Sequence, residues 1–130
     1  MKFIEVHGDS MNPSLLPNQL LIVSEKPSFT RNDIIVYRFK GKLLIKRLVG
    51  LSGDHVLIQD DLVLCNNEEI FRYSHKLPQQ YSWEVTSGKM VVLGDNPLNS
   101  LDSRRVGLLP DESVTGRIVA RIWPPKLFFR

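Results

Sequence analysis

A chain of 130 residues, 42% hydrophobic and 24% charged, has room for one domain with its own core and is too apolar for disorder to be the default. Its net charge of +3 comes from scattered Lys and Arg, which read as solvated faces rather than as a nucleic-acid footprint. The single cysteine, Cys65, excludes an intrachain disulfide and any multi-cysteine zinc site. His7, His55 and His75 lack metal-ligand spacing, so neither a metal nor a cofactor is expected.

The apolar runs are short. In chain order they are Gln19–Val23, Asp33–Phe39, Leu43–Val49, His55–Ile58, Leu62–Cys65, Lys89–Leu93 and Arg117–Ile122. Runs of this length, rich in Val, Ile and Leu and bounded by turn residues, predict strands. Lys40-Gly41 reads as a hairpin turn, and Ser52-Gly53-Asp54, Asn66-Asn67 and Gly94-Asp95-Asn96-Pro97 as further turns. One helical turn is expected near Pro13–Leu16. The fold class is all-β: a compact, mainly antiparallel β domain spanning residues 1–130 with little helix. Residues 60–88, most polar from Glu68 to Ser87, read as an excursion from the main sheet. No stretch approaches the roughly 20 apolar residues that span a bilayer, and the chain as it stands is expected to be soluble.

Four segments carry chemistry. Gly8-Asp9-Ser10-Met11-Asn12-Pro13-Ser14-Leu15 puts a serine in a tight bend, and Asp33–Tyr37 is a strand entered from a polar turn. Ile45-Lys46-Arg47-Leu48-Val49-Gly50-Leu51-Ser52-Gly53-Asp54 puts a lysine in an apolar strand. Gly94–Arg104 is a loop dense in hydroxyls, amides and opposite charges. Strand periodicity sets Lys46 on the face of Leu44 and Leu48. There it either loses its charge by desolvation and becomes a base, or snorkels its ammonium to water. Ser10 reads either as a turn former or as a nucleophile needing a base.

Taken together and in this order, the four segments resemble the signature boxes of the type I signal peptidase family of Ser/Lys proteases. The G-D-S-M-x-P-S-L run is similar to the nucleophile box, I-K-R-L-V-G-L-S-G-D to the lysine box, and G-D-N-P-L-N-S-L-D-S-R to the last box. Pro97 stands where a basic residue is common. The resemblance implies a serine endopeptidase that removes N-terminal signal or leader peptides after small residues. It implies Ser10 as nucleophile, Lys46 as general base, and Ser100 as the hydroxyl that orients the lysine. Asp102 and Arg104 would form a structural ion pair, with Arg47 also structural. The Ser10 N–H would meet the oxyanion; Gly8 stands where some members carry a second donor. Met11 and Ile45 would line the pockets for small side chains, unless they are plain core.

The implied partner is a precursor polypeptide with a small-residue cleavage site, with no nucleic acid expected. Typical members are anchored by N-terminal helices, and Ser10 follows Met1 too closely to leave room for one. The family implies the outer face of a membrane if an anchor precedes this chain, and the cytoplasm if the chain is complete. Soluble relatives that mature dedicated precursors, such as nickel superoxide dismutase, give a second function. The aromatic and basic tail Ile122–Arg130 would suit peripheral membrane contact or burial against the sheet. Two other readings fit less well. A self-cleaving repressor protease needs an Ala-Gly or Cys-Gly bond that this chain lacks. A non-catalytic oligonucleotide-binding barrel would leave the Gly94–Arg104 loop unexplained.

Overall fold

The β-rich composition is realised as two antiparallel sheets in a computed structural model that describes residues 1–25 and 28–128. The main sheet contains β1 (Lys2–Glu5), β2 (Leu20–Ser24), β3 (Ile34–Phe39), β4 (Lys42–Gly50), β9 (Lys89–Leu93), β10 (Leu109–Pro110) and β11 (Val114–Arg121). Their order is β1-β2-β11-β3-β4-β9-β10, with β12 (Lys126–Leu127) paired to the end of β11. The second sheet is β7-β6-β5-β8, built from β5 (His55–Gln59), β6 (Leu62–Cys65), β7 (Glu68–Arg72) and β8 (Tyr81–Glu84). The departure from the main sheet thus starts at His55, and its polar second half is two edge strands, β7 and β8.

All seven apolar runs are strands. The β3–β4 hairpin closes through Lys40 and Gly41, both at positive φ (49° and 78°), the primed turn that matches strand twist. Asn66 and Asn67 close β6–β7 in the same way, at 52° and 68°. β3 reads Ile-Ile-Val-Tyr rather than alternating because both of its faces are covered. Ile34 and Val36 join one core with Met11, Leu15, Leu21 and Ile118, while Ile35 and Tyr37 join another with Leu48, Met90 and Val92. A third core, with Val49, Val56, Ile58 and Val91, lies between the sheets.

Near Pro13–Leu16 the chain makes a single α-turn, closed by the Leu15 N–H on the Met11 carbonyl at 2.9 Å. Among the described residues the one α-helix is α1, Ser103–Val106. Four residues are too few to show a 3.6 period, and the signal that starts α1 is its cap: the Asp102 carboxylate accepts from the Arg104 N–H. No helix among the described residues is long and apolar enough to cross a membrane. Of the tail, Trp123 is 77% exposed and Phe128 packs partly on the core; Phe129 and Arg130 lie outside the described residues.

Candidate active site

Ser10 sits in the turn between β1 and β2. Met11 and Leu15, both essentially inaccessible, plug that turn into the core. Each such side chain contributes about 2 to 3 kcal/mol when buried, which holds the turn against the sheet. The other side of Ser10 is tied to the Gly94–Arg104 loop. Its carbonyl accepts from the Asn96 N–H at 2.9 Å, the Asp9 carbonyl accepts from Asn96 Nδ2 at 3.1 Å, and Asn99 Nδ2 donates to the Asp9 carboxylate. Gly94 permits this approach: a Cβ there would fall 2.7 Å from the Ser10 carbonyl oxygen and 2.0 Å from Ser100 Oγ.

Lys46 comes to Ser10 from β4. Its Nζ lies 2.8 Å from Ser10 Oγ and donates also to the Ile45 carbonyl at 3.1 Å. Of the two readings of this lysine, snorkelling fails, because the residue is only 4% exposed. Burial pushes its pKa below the ordinary lysine value, opposed by the negative charge of Asp102.

The sequence-predicted residues are not all in contact with this pair. Ser100 Oγ donates to Asp102 Oδ2 at 2.8 Å, and no hydrogen bond joins it to Lys46. Asp102 and Arg104 form a two-pronged ion pair, Nε to Oδ1 at 3.0 Å and Nη2 to Oδ2 at 3.1 Å. Arg104 Nη1 also donates to the carbonyl of Pro97, so the unusual proline is held through its backbone. Met11 is buried in the core and Ile45 half-buried, yet both border an open cavity of about 480 Å³ that contains Ser10 and Lys46.

Sequence reasoning assigned no role to Asp95 and Ser14. Arg47, next to the lysine, donates to both Asp95 oxygens at 2.8 and 2.7 Å, and Ser14 Oγ donates to Asp95 Oδ2 at 2.5 Å. Arg47 also donates to Asn32. One carboxylate therefore ties the Ser10 turn, the Lys46 strand and the Gly94–Arg104 loop together. The available signal was an acidic residue directly after Gly94 in a loop rich in polar side chains, with a basic residue beside Lys46 to pair with it.

The cavity has two open strand edges. β9 pairs with β4 only from Arg47 onward, so the β4 edge from Lys42 to Lys46 has no strand beside it on that side. β1 ends the sheet and pairs with β2 alone. Ile4, Val6 and Val36 make the cavity wall apolar. An extended peptide between these edges would gain main-chain hydrogen bonds on both sides and bring one carbonyl to Ser10.

The family model described as "Signal peptidase, peptidase S26" matches residues 1–123. The chain is 35% identical to a signal peptidase I of Leptolyngbya laminosa, over 92% of this chain and 67% of that one. It is 35% identical to signal peptidase I U of Bacillus subtilis (85% and 70%) and 32% to a signal peptidase I of Bacillus caldolyticus (95% and 80%). The crystal structure of a signal peptidase I from Enterococcus faecalis superposes with a TM-score of 0.62 at 28% identity, covering 72% of this chain and 98% of that one. Open strand edges, a serine held at a buried lysine and this match over nearly the whole sequence lead to one assignment: the chain belongs to the peptidase S26 family, the serine endopeptidases that remove signal peptides from precursor polypeptides.

Proposed function

We propose that Ser10 is the nucleophile and Lys46 the general base of this peptidase, acting on precursors with small side chains just before the cut. The observation that supports this best is the 2.8 Å approach of Nζ to Oγ with the lysine buried. Neutral Lys46 takes the Ser10 proton as Oγ attacks the scissile carbonyl. The oxyanion faces the Ser10 N–H, which has no acceptor among the described residues. The Lys46 ammonium then returns the proton to the leaving amine of the mature chain. A water, deprotonated by Lys46, hydrolyses the acyl-enzyme and frees the signal peptide carboxylate. Met11 and Ile45, which both border the cavity, are the side chains that would limit the residues before the cut to small ones.

Cleavage of a preprotein with an Ala-X-Ala segment, located by mass spectrometry, tests the specificity: the cut falls after the second alanine. A cut after a bulky residue instead would reject it. The pH profile tests the base. Only neutral Lys46 works, so kcat/KM rises with pH through its depressed pKa and levels off before the ordinary value of 10.5. A rise that follows 10.5 would mean that another group is the base.

Ser100 is proposed as the positioning hydroxyl for Lys46. Its proton goes to Asp102, so toward the ammonium it can act only as an acceptor. Ser100→Ala is expected to lower kcat by up to about 10²-fold with KM nearly unchanged, and to displace the pH profile. Ser100→Thr restores most of the rate; a loss confined to KM would assign Ser100 to substrate binding. Peripheral membrane contact is proposed for the exposed Ile122, Trp123 and Leu127, with Lys126 beside them, since an aromatic and basic patch suits the lipid interface.

A further inference from the structure

A second depression, of about 320 Å³, lies on the Gly94–Arg104 loop that packs against Ser10 and shares no wall residue with the apolar cavity. Its walls include Tyr81, Leu98, Asn99, Ser100, Arg104 and Arg105. Ser100 Oγ and the Ser10 carbonyl oxygen both lie within 2.7 Å of the point that a Cβ on Gly94 would occupy, so the depression begins one loop thickness from the cut. A chain whose residues before the cut fill the apolar cavity must leave Ser10 elsewhere. An extended chain advances about 3.4 Å per residue, so a few residues after the cut suffice to enter this depression.

Of the carboxylates nearby, Asp102 is neutralised by Arg104, whereas Asp9 accepts from the uncharged Asn99 amide and keeps its charge. Arg104 is committed to Asp102 and to the Pro97 carbonyl. Arg105 is exposed and has no carboxylate partner among the described residues. We propose that this depression receives the mature side of the precursor, and that Arg105 favours an Asp or Glu among the second to fourth residues after the cut. The proposal rests on the Ser10/Lys46 reading, which sets where the cut lies.

Three peptides with one Ala-X-Ala segment, differing only in Asp, Gln or Lys at the third residue after the cut, test it. The wild-type enzyme is expected to prefer Asp over Lys two- to fivefold in kcat/KM at low salt, the scale of an exposed ion pair. R105Q brings the ratio to about one and R105E inverts it. About 0.5 M salt shrinks the wild-type preference. Each ratio is taken within one enzyme, so partial misfolding of a variant cancels. Equal ratios in all three enzymes, or no preference in wild type, overturn the subsite. If Ser10→Ala silences an enzyme that cuts all three peptides equally, the dyad stands and only the subsite falls. If wild type cuts none of them, the Ala-X-Ala specificity falls and the subsite with it.

Discussion

Ser10→Ala and Lys46→Ala are each expected to reduce preprotein cleavage to background, by about 10⁴-fold or more in kcat, while the protein stays folded. Groups that act as one unit lose nearly everything when either is removed, so the double variant is expected to be no worse than the singles. Mass spectrometry of the processed preprotein checks this, and either single variant within tenfold of wild type would sink the dyad. Lys46→Met separates chemistry from folding. Burial depresses the native pKa of Lys46 below the unfolded value of 10.5, so in that window the unfolded chain binds the extra proton. Stability therefore rises with pH through the window, and the penalty is fully present below the native pKa. Lys46→Met removes the penalty: the variant is inert, yet more stable than wild type at neutral pH, and it loses that alkaline rise. Denaturant titrations at several pH values measure it.

The largest stability effect is expected at Asp102. This carboxylate is fully buried and accepts from the Gly94 N–H, Ser100 Oγ, the Arg104 N–H and both Arg104 Nε and Nη2. Asp102→Ala would leave Arg104, whose side chain is 8% exposed, charged and unpaired against the Tyr73 ring. Losing one partner of a buried pair costs about 3 to 5 kcal/mol. Activity falls too, because the loop that holds Ser10 through Asn96 loses its anchor. Asp102→Ala with Arg104→Met recovers part of the stability, since no buried charge is then stranded. A single variant within about 1 kcal/mol of wild type by urea unfolding would show that the pair does not brace the loop.

Strands β2 to β6, β9 and β11 were legible because each is a short apolar run between turn residues, and the Lys40-Gly41 turn needs the positive φ that glycine supplies. β1, β7, β8, β10 and β12 were not. They are edge or two-residue strands, paired on one side, so their sequences keep polar residues at half or more of their positions or are too short to show a period. α1 was hidden for the same reason of length, and only its cap Asp102 marks it.

Run lengths and turn residues alone determined the fold class, and the resemblance of four segments to one family's signature boxes determined the family and which serine and lysine to examine. Whether Lys46 snorkels or is buried could not be read locally, since a strand residue between leucines does either. The tertiary structure decided it: the Ser10 turn, 36 positions away in sequence, meets Nζ and leaves Lys46 only 4% exposed. The same holds for Asp95, whose partners Ser14 and Arg47 lie 81 and 48 positions away. Periodicity reports which face a side chain takes, but desolvation and ion pairing depend on what the rest of the chain brings to that face.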